Sequence, residues 1–240
     1  EMANAALNEI HKCVSSGGKL LFVSTKKQAA ETIATLAKDT SQFYVNHRWL
    51  GGMLTNWQTI SNSIKRLKKL SIELKRENTG FTKKENLKMG IQRDKLERSL
   101  GGIADMKKIP DMIFIVDTNV EELAVKEAIK LNIPIVAIVD TNSDPTGINF
   151  PIPGNDDARR AINLYCDLIK QTVLDAQQNI LKADSEDVKV NIKKDESKIE
   201  TKKEKFEKIK PEKKEKIKTV KKISKSILSK VKSLTAKKTK

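Results

Sequence analysis

Two aspartates that each begin an Asp-Thr-Asn tripeptide are the residues of this sequence best placed for chemistry. Asp117 and Asp140 each end a short apolar run that is typical of a buried strand. Carboxylates at the carboxyl ends of parallel strands have functional roles in receiver domains and reductases. The same position also suits an aspartate that caps the next helix or ties a turn through its side chain. No base, nucleophile or supporting partner is identifiable for either residue, so we expect the turn-forming role.

The glycine, cysteine and histidine residues indicate neither a phosphate-binding loop nor a metal site. The run SSGGK at 15–19 resembles a phosphate loop, but it precedes a strand, whereas such a loop follows a strand and opens a helix. Cys13 and Cys166 lie far apart, and only His11 and His47 could join them as soft ligands. We therefore expect reduced cysteines, no metal, no cofactor and no enzymatic activity.

Apolar runs of strand length alternate with helical patterns, which predicts an α/β fold built on a parallel sheet. The predicted strands are 19–25, 111–117, 134–140 and, more weakly, 43–46. The predicted helices are 3–15, 26–38, 121–131 and 155–181. The side chains expected to face the core from these four helices are Ala6, Leu7, Ile10 and Val14; Ala29, Ile33 and Leu36; Leu123, Ala124, Ala128 and Leu131; and Ala161, Leu164, Leu168 and Val173.

Residues 59–100 interrupt this alternation with helical patterns alone, which predicts two antiparallel helices in a protruding coiled-coil hairpin. Gly80 supplies a stop signal, and Thr82 with Glu85 supplies a capping box for the second helix. The apolar positions of the two helices are Ile60, Ile64, Leu67, Leu70 and Leu74, and then Leu87, Ile91, Leu96 and Leu100. Such an arm buries little surface alone, so we expect it to dock on a partner.

Positive charge dominates the chain and is concentrated at its carboxyl end. The 240 residues carry a net charge of +16, of which residues 182–240 contribute +12 and residues 1–181 contribute +4. This excess favours a polyanionic partner. The lysine-rich tail has too few apolar residues to offset chain entropy and is expected to be disordered alone. No apolar run approaches the ~20 residues that span a bilayer.

The segment YVNHRWLGGMLTNWQTI at 44–60 strongly resembles the bacterial-type S-two family of small ribosomal subunit proteins (universal uS-two). The resemblance continues through the segment from LERSLGGIADM to DDARRAINLY at 96–165, and it covers residues 1 to about 181. Family members begin further upstream, with a GVHFGH-type motif, so we expect that a segment precedes the first residue of this sequence. The lysine-rich tail departs from the common shorter forms.

This resemblance implies a Rossmann/flavodoxin-like parallel sheet with helices on both faces plus a protruding α-helical coiled-coil hairpin. The expected domains are the α/β core (1–58 and 101–181), the hairpin insertion (59–100) and the tail (182–240). The implied partners are small-subunit ribosomal RNA and neighbouring ribosomal proteins, including the largest of the small subunit, with no membrane and no small-molecule substrate. The implied location is cytoplasmic, in the small ribosomal subunit of a bacterium, with an organellar ribosome left open.

Exposed basic residues are the expected means of RNA binding, since A-form grooves hide the bases and leave shape and phosphates to be recognised. The candidates are Lys26, Lys27, Arg48, Lys65, Arg66, Lys68, Lys69, Lys83, Lys84 and Arg93. At the base of the hairpin, Trp49, Gly51, Gly52 and Trp57 are expected to pack the arm against the core. The alternatives are a nucleotide-dependent enzyme on this fold and a general basic nucleic-acid-binding or membrane-surface protein driven by the tail.

Overall fold

The computed structural model describes residues 1–75 and 81–180. The predicted glycine stop at Gly80 and the tail after 181 lie outside these residues. The helices are α1 (Met2–Ser15), α2 (Ala30–Asp39), α3 (Trp57–Glu73), α4 (Lys83–Leu100), α5 (Glu122–Lys130) and α6 (159–180), with one 3-10 turn at Gly101–Ile103. The strands are β1 (Leu20–Val23), β2 (Phe43–Val45), β3 (Met112–Ile115), β4 (Ile135–Val139) and β5 (Phe150–Pro153).

The five strands form one parallel sheet in the order β2-β1-β3-β4-β5. This is the flavodoxin-like order, in which the chain reverses direction across the sheet between β1 and β3. The predicted α/β class with a Rossmann/flavodoxin-like parallel sheet is therefore confirmed. The four predicted strands are present, and β5 is an additional strand at the edge. Its two prolines, Pro151 and Pro153, are tolerated there because an edge strand donates fewer ladder hydrogen bonds.

Alternate residues of the central strands feed two separate cores, one on each face of the sheet. On one face, Phe22 of β1 meets Phe114 of β3 edge to face, with ring centroids 5.9 Å apart, beneath α1, α2 and α6. On the other face, Leu21 and Val23 of β1 pack with residues of α3 and α5. Both faces are therefore covered, as parallel sheets require.

Two predicted helix faces are correct at Val173 of α6 and at Ala124 and Ala128 of α5, which are buried, and wrong at three leucines. Leu164 and Leu168 of α6 are exposed, because the face that packs on the sheet carries Ile162, Cys166 and Ile169 instead. Leu123 of α5 is exposed, and the buried positions of that helix are Ala124, Glu127 and Ala128. In both helices the sequence offers two overlapping apolar stripes, and the sheet selects one of them.

The arm helices, α3 and α4, pack against each other with the predicted capping box in place. The Thr82 backbone N–H donates to Glu85 Oε2 (2.9 Å), and the Glu85 N–H donates back to Thr82 Oγ1 (3.4 Å). Arg66 of α3 reaches Gln92 of α4, and Leu96 near the end of α4 packs in the same core as Ile60 and Ile64 near the start of α3. These pairings fit an antiparallel arrangement, while coiled-coil geometry stays a prediction.

The predicted inner face of α4 is wrong at two positions. Leu87 and Ile91 are exposed, and Leu100 is the one buried residue of that helix. The half-buried positions of α4 include Met89, Arg93 and Leu96, which recur at helical spacing on the opposite side from Ile91. The helix therefore turns its two most apolar middle residues away from α3.

The 3-10 turn after α4 packs tightly on β2, and a glycine substitution there tests this contact. A Cβ on Gly102 would lie 2.1 Å from the Tyr44 carbonyl oxygen, which is backbone and cannot turn aside. We expect Gly102→Ala to lower the free energy of unfolding by about 2 kcal/mol or more. The matched control is Gly90→Ala within α4, where a Cβ meets no atom within 4 Å. It should raise stability by about 0.5–1 kcal/mol, because alanine favours the helix. Urea unfolding measures both, and a neutral Gly102→Ala variant would contradict the contact.

Candidate nucleic-acid interface

The connecting segment, residues 46–56, carries the chain from β2 to α3. It begins with a hydrogen bond from the Asn46 side chain to the Ala30 carbonyl (3.1 Å). Gly52 has φ +82°, in the left-handed region that glycine occupies without steric cost. At Gly51 a Cβ would meet no atom within 4 Å. Of the predicted Gly-Gly pair, only Gly52 is therefore required by the backbone conformation.

Large apolar side chains of the connecting segment fasten it to the sheet. Trp49, Met53 and Leu54 are buried in the core formed by β1, β3 and α5. Trp57, the first residue of α3, is half-buried against the same core. The arm helices therefore leave the domain from a packed base, in which Trp49 is more deeply buried than Trp57.

A single buried carboxylate, that of Glu127 of α5, accepts hydrogen bonds from five donor groups of this segment. Its Oε1 accepts hydrogen bonds from the Trp49 indole N–H (3.1 Å) and the Gly52 backbone N–H (2.7 Å). Its Oε2 accepts from the backbone N–H groups of Leu54 (2.9 Å) and Thr55 (3.0 Å) and from the Thr55 hydroxyl (3.1 Å). The connecting segment thus surrounds the Glu127 carboxylate with N–H and O–H donors of its own residues.

Hydrogen bonding rather than burial decides the charge state of Glu127. Burial alone would raise its pKa, but the donated hydrogen bonds outweigh burial and hold the pKa below the usual value for glutamate. The carboxylate is therefore ionised at neutral pH. Sequence reasoning missed this residue, although a glutamate between Ala124 and Ala128 on the buried face of α5 is an unusual position for a charge.

Most of the predicted RNA-binding residues lie on the surface. Lys27, Arg48, Lys65, Arg66, Lys68, Lys69, Lys83 and Lys84 are exposed, and Arg93 is half-buried. Some of these cations have partners within the chain. Lys68 lies 3.0 Å from Asp105, and Arg93 pairs with its neighbour Asp94. Lys65, Arg66, Lys68 and Lys69 together form a basic face on α3.

Lys26 differs from the other candidates because it points into the crevice at the carboxyl ends of β1 and β3. Its side chain is only 15% exposed, and its Nζ lies 2.8 Å from Asp117, 3.1 Å from Asp156 and 2.6 Å from Asp157. Burial alone would lower the pKa of Lys26, but these three carboxylates raise it. Burial would likewise raise the pKa of Asp117, and Lys26 together with backbone N–H groups lowers it.

This crevice is the place where flavodoxin-like sheets bind phosphate-bearing cofactors. Here it contains three carboxylates around one lysine, and Glu121 nearby accepts a hydrogen bond from the Thr25 backbone N–H (2.5 Å). The excess negative charge disfavours a phosphate. Asp117 also accepts hydrogen bonds from the N–H groups of Asn119 and Val120, which is the turn-forming role expected for it.

Both cysteines are free thiols. Within residues 1–75 and 81–180, no group of three or more His, Cys, Asp or Glu side chains is arranged to hold a metal ion. In the same ranges, no helix has the length and apolarity to cross a bilayer.

Residues 1–176 match the family described as "Ribosomal protein S2". The chain belongs to this family. The membership agrees with the resemblance read from residues 44–60 and 96–165, and it confirms that the chain is not an enzyme.

Curated relatives of this ribosomal protein S2 family member come from several bacteria. The "Small ribosomal subunit protein uS2" of Parvibaculum lavamentivorans is 54% identical over 187 residues, covering 78% of this chain and 74% of the relative. The protein of that name in Phenylobacterium zucineum is 58% identical over 174 residues, covering 72% of this chain and 59% of the relative. The one from Gluconacetobacter diazotrophicus is 56% identical over 186 residues, covering 78% and 72%.

Replacing Glu127 tests its role in this S2-family protein. Glu127→Gln puts an amide NH2 against N–H donors, so we expect it to lower the free energy of unfolding by about 2–4 kcal/mol at pH 7. Because the folded-state pKa is depressed, the ionised carboxylate contributes stability above its unfolded pKa of about 4.3, and this contribution is lost as pH falls through the folded-state pKa. The difference between wild type and variant should therefore shrink below about pH 4.

The control for Glu127→Gln is Glu122→Gln on the same helix. Glu122 is exposed and pairs with Lys126 at the surface, so its loss should change stability by less than about 0.5 kcal/mol. Urea unfolding between pH 3 and 8 measures both variants. A destabilisation by Glu127→Gln that does not change with pH would show that shape, not charge, is what the segment requires.

The Lys26 cluster gives a second stability prediction. Lys26→Gln leaves the carboxylates of Asp117 and Asp156 without a counter-charge, and we expect a loss of about 3 kcal/mol at pH 7. The loss should decrease as pH falls below about 3.9, the unfolded-state pKa of aspartate, because the stability contributed by ionised Asp117 is lost as pH falls through its lowered folded-state pKa. Lys27→Gln, at the exposed neighbouring position, is the control and should be neutral within about 0.5 kcal/mol. Equal effects of both changes in thermal unfolding would contradict the ion cluster.

Proposed function

We propose that this chain is a structural protein of the small ribosomal subunit that binds ribosomal RNA by shape and phosphate contacts. The observation that carries the proposal is the match to the ribosomal protein S2 family over residues 1–176. Relatives that are 54–58% identical have the name small ribosomal subunit protein uS2. The net charge of +16 suits a partner made of RNA.

The RNA surface that we propose is the basic face of α3 together with the connecting segment and the start of α4. The exposed cations on α3 are Lys65, Arg66, Lys68 and Lys69, and Arg48 lies in the connecting segment. Lys83 and Lys84 begin α4, and Lys27 is exposed after β1. Lysines that bind phosphates release condensed counterions, which favours binding without reading the bases.

Two of the predicted RNA-binding residues, Lys26 and Arg93, are expected to contribute less to RNA binding than the others. Lys26 is half-buried and paired with carboxylates, and a phosphate would have to displace them. Arg93 is half-buried and pairs with Asp94. The remaining candidates are exposed, and those of α3 lie along one helix, so they can meet successive phosphates of one RNA segment.

The packed base of the arm gives these cations a defined position. RNA recognition by shape requires charges held at fixed distances, since the A-form backbone offers phosphates in a regular array. Glu127 holds the connecting segment, and Trp57 begins α3 against the core. We propose that this arrangement fixes the direction of the basic face of α3 relative to the sheet.

Neighbouring ribosomal proteins complete the proposed environment. We include the largest small-subunit ribosomal protein among them, because the family resemblance implies that it docks here. The bacterial cytoplasm is the proposed location, because the relatives come from bacteria. The nucleotide-enzyme alternative has no supporting observation, since the crevice that would bind a phosphate is lined by carboxylates. The tail-driven alternative concerns residues outside those described.

Sucrose-gradient sedimentation of cell lysate tests the function. The full chain should travel with small subunits, and a chain that stays at the top of the gradient would overturn the proposal. Changing Lys65, Arg66, Lys68 and Lys69 together to glutamine should weaken this association. It should also flatten the salt dependence, by roughly 0.7 to 0.9 in slope for each phosphate that the variant no longer neutralises.

The control for the four-residue variant removes the same charge elsewhere. Lys12, Lys38, Lys126 and Lys130 are exposed on α1, α2 and α5, and changing all four to glutamine lowers the net charge equally. If both variants flatten the slope equally, binding depends on total charge and not on the basic face of α3. An unchanged slope in the α3 variant would remove that face from the RNA interface.

A further inference from the structure

The outer face of α4, opposite the side that packs on α3, exposes two large aliphatic residues. Leu87 is 68% exposed and Ile91 is 62% exposed, and they lie one helical turn apart. Helix geometry places Lys88, Lys95 and Arg98 on this same face, around the aliphatic pair. We define these five residues as the outer face of α4.

A groove beside this face extends it toward the domain. It has a volume of about 510 Å³ and runs between α4 and the connecting segment. Leu50 and Ile91 line it with apolar surface, and Arg48, Lys95 and Arg98 line it with positive charge. Asp94 is the acidic residue among those that line it. The groove is therefore lined by both apolar and basic side chains, and we call Lys95 and Arg98 its basic rim.

This combination discriminates between kinds of partner. Bases stack on aromatic rings and on arginine planes, and His47, Arg48 and Arg98 line the groove, but Leu87 and Ile91 offer no such platform. Burying exposed aliphatic surface is favourable only against another apolar surface. Basic residues around that surface favour carboxylates on the partner. The charges alone would fit RNA, but the aliphatic pair fits a protein.

We propose that the outer face of α4 is a docking site for an acidic amphipathic segment of a neighbouring protein. The segment would lay an apolar stripe on Leu87, Ile91 and Leu50 and place Asp or Glu side chains against Lys95 and Arg98, as helix-in-groove complexes do. The proposal rests on the proposed function, since the ribosomal subunit supplies the neighbours. It assigns RNA to α3 and the first turn of α4, and it assigns a protein partner to the outer face of α4.

Site-specific photocross-linking in assembled subunits tests this assignment. The probe is a benzoylphenylalanine side chain at Ile91, in the full chain expressed in its own cells. Small subunits are isolated and irradiated, and the adduct is digested with ribonuclease or protease. We expect a protein adduct whose mapped peptide carries apolar residues flanked by Asp or Glu. The control probe replaces Ile72 of α3, which is 56% exposed, and should give no adduct with that peptide.

The other outcomes overturn the proposal. An adduct with RNA, an adduct with a basic peptide, or no adduct from Ile91 would each show that the outer face of α4 does not dock an acidic segment. Failure of the proposed function looks different, because the chain would then be missing from the isolated subunits.

A charge reversal checks the basic rim. Lys95→Glu with Arg98→Glu should reduce the yield of the Ile91 adduct by about tenfold, since truncating or reversing interfacial charge pairs costs that much or more. Lys126→Glu with Lys130→Glu on α5 reverses the same charge elsewhere and should leave the yield within about twofold of the unreversed chain. An equal yield from both reversals would contradict the role of the rim.

Discussion

The ionised side chain of Glu127 is the interaction on which the connecting segment and the arm helices depend. A buried carboxylate is costly unless donors surround it, and here four residues of one turn supply five hydrogen bonds. The reverse also holds, because the backbone N–H groups of Gly52, Leu54 and Thr55 would otherwise lack acceptors in a turn that enters the core. The backbone N–H groups of the turn offset the cost of burying the carboxylate, and the carboxylate offsets the cost of burying those N–H groups. The path of the chain from β2 to α3 is therefore fixed by electrostatics as well as by apolar packing.

A second network of buried charge, the ion cluster around Lys26, lies at the carboxyl edge of the sheet and closes a site instead of supporting one. Around Lys26 the charges neutralise one another, and the crevice that this fold uses for ligands is filled by its own side chains. Around Glu127 the donors are mostly backbone groups, and the result is a rigid support for exposed residues nearby. The two networks together explain how a fold shared with cofactor-binding proteins can serve a structural role. The surface beyond the sheet, not the crevice, remains available to partners.

The sequence predicts those features that depend on local pattern and misses those that depend on distant pairs. Strands β1, β3 and β4 are predictable because fully buried strands are continuous apolar runs. Strand β5 is not, since Pro151 and Pro153 contradict a strand pattern until the edge position is known. The sequence pattern predicts Lys26 as a surface cation, but in the fold its amine donates to Asp156, 130 residues away, and its side chain is only 15% exposed. Glu127 and Trp49 are 78 residues apart, and no periodicity relates them.

The wrong prediction of the inner face of α4 is informative, because the hydrophobic periodicity on which it is based is usually reliable. Apolar residues at helical spacing usually mark the buried face, and Leu87 and Ile91 satisfy that pattern. Helix α4 instead turns Met89, Arg93 and Leu96 inward and buries only Leu100. Most helix stability in proteins comes from packing of an apolar face, and the rest of the described fold buries little of α4. The described fold does not bury Leu87 and Ile91, so it does not explain why they are apolar. A partner that covers the pair removes the contradiction, because the apolar spacing then serves an interface instead of the core.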